Sequence, residues 1–209
     1  MTQKQFALIG LSAPLLFWTT YFIVSFNKPE YSFLTKAISE LGSVDVMDKW
    51  FWNIPGYILT GLMISVFSIG LHKSISGKEG RKLPLMGLLL SGLFMALAGI
   101  FPGDFDNRQS VTMLVHTIGS FGSYFFFLIA AFTYSRQMRR TAYWSSAVKF
   151  ALLFTWMTVV FGAWPFLFPS IPAVGQRIVF FFYLSWIFFM AIKLYRKGVI
   201  IPQTELGIP

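Results

Sequence analysis

Six long apolar stretches constrain this chain more than any other feature of its sequence. Each comes close to the roughly 20 residues that an α-helix needs to cross the hydrocarbon core of a bilayer. They cover residues 6–26, 52–71, 83–101, 111–134, 147–168 and 174–195. Of all residues, 56% are hydrophobic and 12% are charged, which is about half the charged fraction of soluble domains. We therefore predict an all-α, polytopic membrane protein, with residues 1–209 forming a single domain built as a bundle of six transmembrane helices.

The basic residues of the short loops predict how these helices are oriented, because lysine and arginine concentrate on the cytoplasmic side. With the N-terminus inside, 12 of the 17 basic residues, Lys78 among them, are cytoplasmic. The five outer ones are Lys28, Lys36, Lys49, Arg108 and Arg177. The acidic residues divide the opposite way: Glu79 and Glu205 are inside, whereas Glu30, Glu40, Asp45, Asp48, Asp104 and Asp106 are outside. We predict a multi-pass protein of the inner (plasma) membrane with both termini in the cytoplasm.

This topology also accounts for the net charge of +9, so we expect membrane lipids as partners and no nucleic acid. No small-residue cleavage site follows the first apolar stretch, which is therefore expected to be a retained helix and not a signal peptide. The chain has no cysteine, which excludes disulfides and thiolate metal sites.

Small residues on the third and fourth helices predict close helix packing, within the chain, in a homo-oligomer or against a membrane protein partner. They are Gly87, Ser91, Gly92, Gly99, Gly119, Ser120 and Gly122.

The first outer loop, residues 27–51, is the longest segment between two spans. Leu34, Ile38 and Leu41 are three and four residues apart, which predicts a short amphipathic helix in this loop. Such a helix holds Ser39 and Glu40 near the membrane rim. Glu40 is then either part of a site or a solvated residue of an ordinary interfacial helix.

A second outer segment follows the third span. Pro102 and Gly103 end that helix and deliver Asp104 and Asp106 to the same face. Two carboxylates in one turn either share a divalent cation through their oxygens or belong to a solvated turn with an Asx-type hydrogen bond. His116 lies about a turn and a half inside the fourth span, where a titratable side chain needs a partner. Asp104 and Asp106 are the expected partners, in a structural tether or in a catalytic or ligand-binding site.

Arg177 and Asn53 complete the outer set, at the outer ends of the sixth and second helices. Arg177 is expected to pair with Glu40 or Asp104, or to clamp an anionic lipid head group. His72 falls at the cytoplasmic end, so Glu40, Asp104 and His116 make a poor zinc set. We predict no cofactor, although an oxygen-rich divalent cation site stays open. A Ser39–His116–Asp104 triad lacks a strained nucleophile turn and is unspecific.

Four short motifs follow one another along the chain: Ile38-Ser-Glu-Leu-Gly42, Asn53 with Gly61, Gly99-Ile-Phe-Pro-Gly-Asp104, and His116 with Gly119. In the order and spacing of these motifs the chain resembles the prokaryotic six-helix membrane family called domain of unknown function 998 (DUF998). The resemblance spans roughly residues 6–195. Members often have a Glu-Arg pair where this chain has Gln176–Arg177, which removes one carboxylate. The family name implies no activity.

Three functions are open from the sequence. The first is an outer-facing polar pocket that binds a lipid head group or a small amphiphile. The second is an intramembrane lipid hydrolase or transferase in which Asp104 orients His116 as a general base. The third is a structural or regulatory membrane subunit that acts through helix contacts.

Overall fold

The computed structural model describes residues 1–76 and 81–200 of the chain. Its six long helices are apolar enough to cross a membrane, which confirms the predicted all-α bundle. Lys78, Glu79 and Glu205 lie outside the described residues. The helices are α1 (Gln3–Phe26), α2 (Trp50–Ser76), α3 (Leu83–Ile100), α4 (Val111–Met138), α5 (Val148–Leu167) and α6 (Pro172–Ile200).

The helices form a closed ring in which each packs on the next and α6 returns to α1. Aromatic side chains fill the centre near one end of the ring. The Phe17 ring lies 5.2 Å from that of Trp52 and 4.9 Å from that of Phe180, which joins α1, α2 and α6. Large exposed side chains such as Phe22, Phe121 and Phe181 are apolar, as expected of surfaces that contact lipid.

The backbones of α2 and α3 come into direct contact where Gly61 faces Gly92. A Cβ atom built on Gly61 would lie 2.4 Å from the carbonyl oxygen of Gly92, and one on Gly92 would lie 2.3 Å from that of Gly61. Ser65 bridges the same helices, since its hydroxyl donates to the Leu89 carbonyl at 3.0 Å. The close packing predicted from small residues is therefore present within the chain.

The first turns of α2 are irregular. After Trp50–Trp52 the helix widens into a π-helix over Asn53–Leu59 before it continues as an α-helix from Thr60. Pro55 lies inside this segment and has no N–H to donate, so it cannot continue a regular hydrogen-bond ladder. The Asn53 side chain is buried there, inside the bundle end.

The two ends of the ring differ in charge. The end that carries residues 27–49, here called the loop end, also has the α3–α4 turn and the start of α6. The opposite end, here called the basic end, has no acidic residue in the described part of the chain. Its described basic residues are Lys4, Lys73, Arg81, Lys82, Arg136, Arg139, Arg140, Lys149, Lys193, Arg196 and Lys197.

Candidate functional site

The first loop is packed into the loop end. Its predicted short helix is a 3₁₀ helix over Ile38–Gly42, and both Ile38 and Leu41 are completely buried. The Ile38 N–H donates to Gln176 Oε1 at 2.8 Å, and Asn53 Nδ2 donates to the Gly42 carbonyl at 2.7 Å. This segment therefore closes the end of the bundle instead of lying on the membrane surface.

Most of the contacts that fix this loop are made to its main chain. The Lys28 ammonium donates to the Leu41 carbonyl at 3.2 Å, and the Tyr31 hydroxyl donates to the Ala37 carbonyl at 3.0 Å. Glu40 Oε1 accepts from the Ala37 N–H at 2.7 Å, so its carboxylate caps the 3₁₀ helix. Burial raises the pKa of the Tyr31 hydroxyl well above its usual value of 10, so it remains a proton donor.

Arg177 is enclosed by aromatic side chains and main-chain oxygens. Its guanidinium donates to the Tyr21 hydroxyl at 2.8 Å, the Tyr31 hydroxyl at 2.5 Å and the Lys36 carbonyl at 2.9 Å. A fourth bond, 2.8 Å long, goes to the Ala173 carbonyl one turn earlier in α6. Four of its five N–H groups are thus occupied. The expected pairs with Glu40 and Asp104 are absent, because the one carboxylate ion pair in the described residues joins Lys28 to Asp48.

The α3–α4 turn keeps its two carboxylates near the surface. Asp104 Oδ1 accepts from the Asn107 N–H at 2.9 Å, which is the Asx-type bond of a solvated turn. Asp106 is exposed. Within residues 1–76 and 81–200, no three His, Asp or Glu side chains gather in a way that suits a metal ion. The structure does not bring Glu40, Asp104 and His116 together as a ligand set.

His116 is bound to the end of α3, not to a carboxylate. Its Nδ1 lies 2.9 Å from the Ala98 carbonyl oxygen and 3.0 Å from that of Phe101. Both carbonyls are at the C-terminus of a helix, where the last C=O groups lack intrahelical partners. The imidazole therefore caps α3. Its Nε2 lies on the other side of the ring, 3.5 Å from the Ser120 hydroxyl.

A cavity of about 300 Å³ lies beside this pair. Its wall is mainly apolar and contains residues from α2 through α6, among them Tyr57, Ala98, Ser120, Phe161, Gln176 and Val179. Tyr57 on this wall and Ser39 of the 3₁₀ helix are both buried. The described residues that line the cavity carry no formal charge.

The sequence profile of the family described as "Protein of unknown function (DUF998)" matches residues 11–193, which is most of the chain. The chain belongs to this family. No curated protein and no solved structure matches it.

In this DUF998 protein the motifs on which the resemblance rests are joined in space. Ile38–Gly42 bonds to Asn53 of α2 and Gln176 of α6, and the Val44 N–H donates to the Gly103 carbonyl at 3.0 Å. His116 of α4 then ties the end of α3 to the same region. These motifs therefore build the closed end of the bundle, and Gln176, which bonds to Ile38, also lines the cavity.

Three residues that line the cavity of this DUF998 protein were not predicted as site residues from the sequence. Ser120 was assigned to helix packing, although its position one turn after His116 places both on one helix face. Gln176 was noted only as a lost carboxylate, and Tyr57 was not singled out. Arg177 was placed correctly at the same end of the bundle as the first loop, but its tyrosine partners are remote in sequence and could not be recognised.

Proposed function

We propose that this DUF998 protein binds one small amphiphile, with its apolar chain in the 300 Å³ cavity and an uncharged polar end at Gln176 and Ser120. The observation that carries the proposal is the composition of the cavity wall, which is apolar with a few hydrogen-bonding groups. This is the usual character of a small-molecule site, and the volume is at the small end of the range for such sites. A single-chain ligand fits better than a two-chain lipid.

Gln176 supplies the polar contact that is best defined. Its Oε1 is engaged by the Ile38 N–H at 2.8 Å, so its amide NH₂ is the part left to donate to a ligand. A neutral hydroxyl or carbonyl oxygen suits this donor. An anionic head group has no cation to meet, since Arg177 is engaged by Tyr21, Tyr31 and main-chain oxygens.

The ligand reaches the cavity from the membrane. Phe121 and Pro165 line the cavity and are also exposed on the lipid-facing surface of α4 and α5, whereas the loop end is closed by Ile38–Gly42. A lateral path suits a molecule that already partitions into the bilayer. The hydrolase in which Asp104 orients His116 loses its support, because the imidazole Nδ1 faces Ala98 and Phe101.

Filling the cavity is expected to weaken binding. Val179 lines the cavity, so Val179→Trp should lower the affinity for a monoacylglycerol at least about tenfold, or roughly 1.4 kcal/mol. Native mass spectrometry of the purified protein, titrated with monoacylglycerol, lysophosphatidylcholine and lysophosphatidylglycerol, measures this. Val199→Trp, on the exposed surface of the same helix, should bind as the wild type does. The proposal fails if no saturable one-to-one complex forms, or if Val179→Trp binds equally well.

We also propose that the basic end faces the cytoplasm and that the protein lies in the plasma membrane. The support is the set of basic residues at that end, since cytoplasmic loops are enriched in lysine and arginine. Because the chain has no cysteine, single-cysteine variants report the orientation cleanly. In spheroplasts, a membrane-impermeant maleimide should label Asn107→Cys at the loop end at once. Ser145→Cys, exposed at the basic end, should react only after permeabilisation, and the reverse pattern would overturn the assignment.

A further inference from the structure

Ser120 and His116 form a hydroxyl–imidazole pair at the cavity wall. They are four residues apart on α4 and therefore share one helix face. The Ser120 Oγ lies 3.5 Å from His116 Nε2 and the serine lines the cavity, while the imidazole is buried behind it. This is the relation between a nucleophile and its base, and such contacts are often long until a substrate is bound.

The protonation of the imidazole follows from its other contacts. Nδ1 lies within 3.0 Å of two carbonyl oxygens, which only accept hydrogen bonds. Nδ1 therefore carries the proton of the neutral ring, and Nε2 presents its lone pair to Ser120. In a Ser-His-Asp triad a carboxylate fixes this tautomer. Here the end of α3 does so through the Ala98 and Phe101 carbonyls.

We propose that Ser120 and His116 are a catalytic dyad that hydrolyses a carboxylic ester of a single-chain amphiphile. The inference rests on the proposed function, because the acyl chain of the ester occupies the same cavity. Gln176 lies in that cavity with its amide NH₂ left to donate, so it is the group that would stabilise negative charge on the ester oxygen.

The reaction has two steps. In the first, Ser120 Oγ attacks the ester carbonyl carbon and its proton passes to His116 Nε2. The carbon–oxygen bond to the alcohol then breaks, the alcohol leaves with that proton, and an acyl-serine remains. In the second step a water molecule attacks the acyl carbon and gives a proton to Nε2, which returns it to Ser120 Oγ as the carboxylic acid is released. The sum is ester and water to acid and alcohol.

A serine-reactive probe tests the dyad directly. Purified protein in detergent is treated with an alkyl fluorophosphonate, and the modified peptide is identified by mass spectrometry. We expect modification at Ser120 in the wild type and none in Ser120→Ala. Turnover of a 4-nitrophenyl octanoate reporter should also be lost in Ser120→Ala. Ser135→Ala should label at the wild-type rate, because Ser135 lies on the same helix but bonds to the Ala131 carbonyl at 2.8 Å.

His116→Asn tests the role of the imidazole as a general base while keeping its role as the cap of α3. The asparagine amide places an N–H where Nδ1 was, so it can still donate to Ala98 and Phe101, but it has nothing at the Nε2 position. We expect its melting temperature to stay close to that of the wild type and its labelling rate to fall about 100-fold or more, the usual effect of losing a general base. Labelling of His116→Asn at the wild-type rate would overturn the dyad.

The outcomes for binding and for chemistry are distinguishable. If monoacylglycerol binds but neither labelling nor turnover occurs in the wild type, the dyad is wrong and the binding function stands. If neither the wild type nor Ser120→Ala binds monoacylglycerol, the binding function itself is wrong. Should His116→Asn fail to fold, the wild type and Ser120→Ala still decide, since labelling confined to Ser120 is the required result.

Discussion

Replacing Arg177 with alanine is expected to lower the melting temperature of the detergent-solubilised protein by roughly 6 to 12 °C. The variant loses three charge-assisted hydrogen bonds to residues outside its own helix, namely Tyr21, Tyr31 and Lys36. Hydrogen bonds to a charged group contribute about 1.5 to 3 kcal/mol each, although partners that regain water offset part of that. A net loss of about 3 kcal/mol corresponds to the stated shift for a chain of this size.

Arg108→Ala is the matched control, because Arg108 is a basic residue of the same loop end whose side chain is exposed. Its melting temperature should stay within about 1 °C of the wild type, as for most surface substitutions. Arg177→Lys should fall between the two, since lysine keeps the charge but not the planar fork that reaches both tyrosines. If Arg177→Ala has the same melting temperature as the wild type, the guanidinium does not hold the loop in place.

Gly61→Ala is expected to destabilise the bundle by about 3 kcal/mol, or to prevent a monodisperse product. The added methyl group would lie 2.4 Å from the Gly92 carbonyl oxygen and 2.8 Å from the Ala96 nitrogen. Both are backbone atoms of α3, so the only relief is to move two helices apart. Overpacking of this kind usually costs about 1 to 3 kcal/mol, and main-chain obstacles lie at the upper end.

Gly198→Ala, the same substitution at another position, should raise the stability of the protein instead of lowering it. A Cβ atom there meets nothing closer than 3.4 Å, and alanine is favoured over glycine inside a helix by about 0.5 to 1 kcal/mol. Size-exclusion profiles and thermal unfolding of the two variants, measured side by side, check the pair. Equal melting temperatures for both would show that α2 and α3 do not approach as closely as the structure places them.

The bundle could be predicted from sequence because one physical quantity sets the length of each span. The bilayer requires about 20 apolar residues, and the six predicted spans agree with the observed helices to within five residues at either end. Asn53, Asp104 and Arg177 were likewise assigned to one end of the bundle, because each span carries the chain from one end to the other and so fixes which helix ends share a side.

The partners within the site were not predictable in the same way. His116 and Arg177 were expected to seek carboxylates, since those are the partners that residue types suggest. They bond instead to main-chain carbonyls of Ala98, Phe101 and Lys36, and every residue of the chain carries such a group. The cavity beside Ser120 is a product of how five helices pack, which no short motif encodes.

The way the first loop is held has a consequence for which of its residues can be replaced. Five residues bond to the peptide groups of residues 36–42, namely Lys28, Tyr31, Asn53, Gln176 and Arg177. The side chains of Lys36 and Ala37 take no part in these bonds. Substitutions at Lys36 or Ala37 are therefore expected to change the surface of the loop end without changing the path of the backbone. Gly42 does not have this freedom, since any side chain there would collide with the Asn53 amide. The backbone path of the first loop is thus fixed, while the side chains at Lys36 and Ala37 can be replaced.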